Sequence, residues 1–164
     1  MIVVSDSTPL ITLMKAVQLD VLNKLFDEIV IPQAVYYELT TNEKNPEEAA
    51  QINRSSFIRV VTVDDSRSVS ILQRATGLDL GESEAIVYAD EKRADLLLID
   101  EAPGRRVAIG MGLEIMGSVG ILLAAYREGY ISAVEVKNAF EKIRNSNRHI
   151  SDDLIKDALD ILRQ

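Results

Sequence analysis

The feature that most restricts the fold is an alternation. Short β-branched or leucine-rich runs are separated along the whole chain by stretches with helical period. Ile2-Val3-Val4, Glu28-Ile29-Val30-Ile31, Ile58 to Val63, Asp95 to Ile99 and Leu113 to Met116 each read as a strand. The intervals are long enough for helical crossovers, and parallel strands require such crossovers. The expected class is therefore α/β, with a mostly parallel central sheet flanked by helices.

Helix starts are marked by residue chemistry. Thr8-Pro9 and Ile31-Pro32 each place a proline at an expected first helical position, and Asn45-Pro46-Glu47-Glu48 adds acids to a first turn. Between Gly81 and Ala94, residues Glu82, Ala85, Ile86, Ala89 and Arg93 share one helical face. Gly117-Ser118 opens an apolar helix through Tyr126. Two more helices are expected, from Ser132 to about Arg144 and from Ser151 to Leu162. Asn145-Ser146-Asn147-Arg148 is the one linker-like stretch. It divides the chain into a domain over residues 1–145 and a C-terminal helical extension, 146–164, expected to pack on that domain and to cover its core or meet a partner.

Composition removes several classes of chemistry. The 164 residues are 47% apolar, which suits one globular domain. With no cysteine there is no disulfide framework, thiolate nucleophile or cysteine-ligated metal site, and a reducing cytoplasm is the natural expectation. Eighteen basic against 26 acidic residues give a formal charge of −8, which excludes a general electrostatic clamp on nucleic acid. Met1 to Val4 run directly into Ser5-Asp6-Ser7, so no signal peptide is expected, and the apolar runs are too short for a membrane span. A serine-histidine-aspartate triad would depend on His149, the single histidine, which reads as a surface residue.

In parallel α/β sheets, chemistry collects where strands end. Asp6 follows the first strand after one serine, and Asp100 directly follows the fourth. Either alone reads as a cap or turn residue, but together they share one expected sheet edge. Glu38 lies inside the apolar stretch Ala34-Val35-Tyr36-Tyr37-Glu38-Leu39, where it either faces solvent or aims back over that edge. Glu82 and Glu84 open a helix whose dipole favours acids. If these carboxylates converge, their mutual repulsion calls for a divalent cation. A set of oxygen donors without histidine or cysteine suits Mg²⁺ or Mn²⁺, ions that commonly act with phosphate substrates.

Other α/β chemistries fit the same residues poorly. A haloacid-dehalogenase-like phosphatase needs a second aspartate two residues after the first, where Thr8 stands, and a receiver domain needs an acidic pair before its phosphoacceptor. Gly110-Met111-Gly112 lacks the third glycine of a dinucleotide-binding turn, since Ile115 occupies that place, and it precedes a strand instead of following one.

Five blocks in order resemble the PIN domain, in a VapC-related prokaryotic branch. They are Val3-Val4-Ser5-Asp6-Ser7-Thr8-Pro9-Leu10-Ile11, Ile31 to Leu39, Leu78 to Ile86, Leu97-Leu98-Ile99-Asp100-Glu101, and Gly117 to Leu122. The resemblance implies a three-layer fold and a metal-dependent ribonuclease whose acids gather Mg²⁺ or Mn²⁺ and whose products carry 5′-phosphate and 3′-hydroxyl ends. It further implies a toxin restrained by a small antitoxin, with RNA as substrate and a homodimer as assembly. The matching positions are Asp6, Glu38, Glu82 and Asp100, with Glu84 as neighbour or substitute for Glu82. Ser118 matches a hydroxyl beside the acids and joins the expected catalytic set, while Ser7 and Arg105 are expected to face substrate. Both serines also read as helix caps. Ala102 stands where many relatives carry another acid, and Glu101 or Glu114 is the expected compensation.

Overall fold

The computed structural model describes residues 1–148 and 150–164; His149 lies outside the described residues. Its five strands are β1 (Val3–Ser5), β2 (Ile29–Pro32), β3 (Ile58–Val61), β4 (Leu96–Leu98) and β5 (Ile115–Met116). The helices are α1 (Ser7–Lys15), α2 (Val21–Phe26), α3 (Gln33–Thr40), α4 (Pro46–Arg54), α5 (Ser66–Thr76), α6 (Leu80–Glu91), α7 (Ala102–Gly110), α8 (Ser118–Arg127), α9 (Ala133–Asn145) and α10 (Asp152–Leu162). Each expected strand is present.

The sheet has the order β3-β2-β1-β4-β5, and every pairing is parallel. Both faces are covered, which explains the near-continuous apolar strands. Val3, Ile29, Ile31 and Leu98 point into one core with α1, α2, α3, α8, α9 and α10. Val4, Val30, Leu97 and Ile99 point into the other, with α6 and α7. Chain order runs outward from β1 in both directions, so β1 and β4 flank a topological switch point. In doubly wound sheets, ligands bind in the crevice beyond the strand ends at that point.

Helix boundaries shift where proline or aspartate was read too simply. Asp6, not Thr8, is the N-cap of α1, so Ser7 is already helical. Pro32 closes β2 and itself serves as N-cap of α3, one step before the first-turn position its fixed φ suggested. Arg93 falls outside α6, in a left-handed conformation with φ 51°. Three helices, α2, α5 and α7, have no counterpart among the starts read from sequence. α2 has six residues and no side-chain cap, and α5 buries only Val69.

α6 is enclosed on most of its circumference: Glu82, Ser83, Ala85, Ile86, Val87, Tyr88 and Ala89 are all buried. At the C-terminus, Ile155, Ala158 and Leu162 of α10 join the larger core with residues of α8 and α9. No helix among the described residues is long and apolar enough to cross a membrane.

Candidate functional site

The site begins where β1 ends. The Asp6 N–H donates to the Leu98 carbonyl at 3.0 Å, extending the β1–β4 ladder by one step and fixing Asp6 at the sheet edge. Although Asp6 occupies the N-cap position of α1, its side chain makes no capping hydrogen bond. The residue is 2% exposed and its Oδ1 has no partner. Buried carboxylate oxygens are normally satisfied, so this one marks a site lacking a counterpart. Burial pushes the Asp6 carboxyl up to about 8; the Ser7 amide pulls it back, while Glu82, Glu38 and Asp79 push it further.

Glu38 comes from the far turn of α3. Ser7 Oγ donates to its Oε2 at 2.7 Å, and the carboxylate lies against Gly81 in space that any Cβ there would occupy. The residue as a whole is exposed, yet loss of water around this tip raises its pKa above the usual range, against the Ser7 hydrogen bond and with help from Asp79 and Glu101.

Glu82 sits in the first turn of α6, 6% exposed. It belongs to a reciprocal cap: its N–H donates to Asp79 Oδ1 at 2.8 Å, and its Oε2 accepts from the Asp79 N–H at 3.3 Å. Its Oε1 faces Gly104 of α7, 3.4 Å from where a Cβ would stand. Burial, then the charge of Asp79, raise its pKa; the Asp79 backbone opposes them, and Glu101 and Glu38 add smaller pushes.

Asp100 follows β4 and is bound by the start of α8. The Ser118 N–H donates to its Oδ1 at 2.6 Å and Ser118 Oγ to its Oδ2 at 2.5 Å. Gly117 leaves room for it: a Cβ there would stand 2.9 Å from Asp100 Oδ1 and 3.0 Å from Arg105 Nη1. Arg105 Nη1 donates to the Ile99 carbonyl at 2.8 Å, which tethers the guanidinium beside the same strand end. Three acids therefore each rest against a glycine.

The remaining expected residues divide. Glu84 is turned away from Asp6: its Oε2 accepts from the Ala34 N–H at 2.9 Å, at the start of α3. Glu101 stands near the acids, where Thr8 Oγ1 donates to its Oε1 at 3.3 Å and its charge is felt by Glu38 and Glu82. Glu114 does not compensate for Ala102. It immediately precedes β5, at the amino end of a parallel sheet, opposite to the edge that carries Asp6 and Asp100. The residue missed in sequence is Asp79, whose charge bears on Asp6, Glu38 and Glu82 together. Its only signal was the Asp79-to-Glu82 spacing of a capping pair.

Asp6, Glu38 and Glu82 thus form one electrostatically coupled group, with Asp100 on the neighbouring strand end. Among the described residues, no three acidic or histidine side chains stand together at metal-ligand geometry. The donor chemistry nevertheless fits a hard divalent cation: only oxygens, an orphaned buried Asp6 oxygen, and carboxylates whose charged forms disfavour one another. Two surface hollows lie elsewhere, one lined by Arg144, Arg148 and Ile155, the other by Lys15, Lys44 and Glu48.

A family model described as a PIN domain matches residues 2–164. The comparison with curated proteins gave no match. With the match spanning nearly the entire sequence, the chain belongs to the PIN-domain family, whose members are generally nucleases.

Proposed function

We propose that this protein is an Mg²⁺- or Mn²⁺-dependent endoribonuclease that hydrolyses RNA phosphodiester bonds, acting as a VapC-like toxin. The observation that carries the reading is the buried Asp6 carboxylate at the switch point, whose Oδ1 has no partner and which is flanked by Glu38 and Glu82. Asp6, Glu38, Glu82 and Asp100 would hold the cation. When bound, such an ion acidifies water and offsets charge on the attacked phosphate.

The other side chains prepare this pocket. Ser7 fixes the Glu38 carboxylate by donating to Oε2, and Ser118 fixes both oxygens of Asp100. Asp79 organises the first turn of α6 and, with Glu101, adds to the negative field. Arg105 has one N–H tied to the Ile99 carbonyl and keeps further guanidinium donors for a phosphate oxygen. Glu84 serves structure. A small antitoxin bearing basic groups and a second copy of the chain complete the proposed assembly, in the cytoplasm.

The test is to incubate purified protein with total RNA in Mg²⁺, Mn²⁺ or chelator and to map new 5′ ends. Specific ends that need metal and vanish in Asp6→Asn support the reading. Cleavage by a folded Asp6→Asn protein at the wild-type rate refutes it, and harmless expression of active protein without a partner refutes the toxin role.

A second reading has its own support. Ala102 replaces an acid common in relatives, and no three acids stand at ligand geometry among the described residues, as suits a noncatalytic PIN-fold binding module. Calorimetry separates the two: a binding module predicts no difference between wild type and Glu38→Gln at millimolar Mg²⁺.

A further inference from the structure

We propose that Gly81 and Glu84 form a two-point clamp by which α6 positions α3, and that this clamp sets where the Glu38 carboxylate lies. The argument begins with a deficiency in α3. Its N-cap is Pro32, which has no side-chain acceptor, and no side chain of its own caps the helix. The first-turn amides of such a helix are left without intrahelical partners. One of them, the Ala34 N–H, donates at 2.9 Å to Glu84 Oε2, fifty positions away in sequence. A carboxylate in that place also suits the positive end of the helix dipole.

One turn later on α3, four residues from Ala34, stands Glu38. One turn earlier on α6, three residues from Glu84, stands Gly81, and the Glu38 carboxylate occupies the space that a Cβ at Gly81 would take. The pairs Ala34–Glu84 and Glu38–Gly81 thus run in opposite senses along the two helices. Two contacts a turn apart fix both the slide and the rotation of α3 against α6, as residues at such spacing share one helical face. Ser7 Oγ then meets Glu38 Oε2 from α1 at 2.7 Å. Glu84 is accordingly a positioning residue, held by its own hydrogen bond, and not a ligand of the acid pocket.

The consequence for metal rests on the proposed nuclease reading; the clamp itself does not. Glu84→Ala, Glu84→Gln and Gly81→Ala test both parts. Glutamine keeps an oxygen to accept from Ala34, so Glu84→Gln retains Mn²⁺ affinity by calorimetry within about threefold, whereas Glu84→Ala loses about tenfold, the lower end of effects from groups that orient ligands. Gly81→Ala folds, because a flexible carboxylate tip yields to the new methyl group. It loses Mn²⁺ affinity while amide exchange at Ala34 stays slow. Exchange at Ala34 quickens about tenfold or more in Glu84→Ala alone.

Unchanged Ala34 exchange in Glu84→Ala overturns the clamp whatever the metal does. A Glu84→Gln protein as impaired as Glu84→Ala in Mn²⁺ binding overturns the positioning role and makes Glu84 a ligand. If wild type binds no Mn²⁺, the nuclease reading fails alone. The clamp is then decided by Ala34 exchange and by a crystal structure of Gly81→Ala, where Glu38 displaced from Ser7 upholds it and Glu38 in place overturns it.

Discussion

Asp6 and Asp100 occupy comparable places, each just beyond a strand of the same parallel pair and at the same sheet edge. Their surroundings differ sharply. Asp100 receives two hydrogen bonds from Ser118 at the start of α8, so the protein itself supports its charge. Asp6 is deeply buried, has an oxygen without any partner, and is held near neutrality by burial and by Glu82, Glu38 and Asp79. A fold can complete one strand-end carboxylate and leave its neighbour to be completed from outside. That asymmetry is the physical content of the proposed site.

Substitutions sharpen the comparison because activity and stability should separate at one aspartate and fall together at the other. The largest effect expected is on activity. Asp6→Asn reduces metal-dependent RNA cleavage by about 10²- to 10³-fold, in the range found when one electrostatic contributor to a transition state is removed. Single-turnover cleavage rates measure it. Next is Asp100→Ala, which removes the acceptor for two hydrogen bonds to a charged group and costs about 2–3 kcal/mol of stability in urea unfolding, besides impairing cleavage.

Asp6→Asn has the opposite effect on stability. The Asp6 pKa rises from 3.8 to about 8 on folding, so the folded chain retains a proton that the unfolded chain releases over that interval. The stabilisation from this proton is complete below about pH 4 and is lost as pH rises through about 8. Asparagine never ionises. In chelator, Asp6→Asn is therefore more stable than wild type by about 1–3 kcal/mol at pH 8, the usual cost of an unsatisfied buried polar group. The advantage shrinks as pH falls toward 5. Thermal unfolding across that range checks the sign, and a variant less stable than wild type at pH 8 breaks the comparison. The smallest effect is at Ser7→Ala, which frees the Glu38 carboxylate from one hydrogen bond and weakens Mn²⁺ binding by about three- to tenfold in calorimetry.

Much of this molecule was legible without coordinates, for identifiable reasons. β1, β2 and β4 read clearly because a strand buried on both faces demands an uninterrupted apolar run, and Leu96-Leu97-Leu98-Ile99 meets that demand on both sides. The edge strand β3 carries Arg59, exposes its middle residues and was only a possible strand in sequence. The starts of α9 and α10 were equally clear, because Ser132 and Ser151 each accept from an amide three residues on, whereas the same kind of cap from Asp65 did not reveal α5. The rule that chemistry follows strand ends located Asp6 and Asp100. What spacing could not supply was side-chain direction across elements. Glu82 and Glu84 are two residues apart on one helix, yet one faces Gly104 and the other reaches Ala34. Glu114 looked as available as Glu101 until the parallel sheet placed it at the opposite end. Asp79 was hidden because its nearest signal described only a helix cap.

The central claim is that Asp6 is left incomplete by the fold and completed by a divalent cation. Titration of Mn²⁺ into wild type and Asp6→Asn by calorimetry at pH 7 tests it directly. The account predicts saturable binding to wild type and at least a tenfold weaker affinity for the variant. Equal affinities in two folded proteins would contradict it.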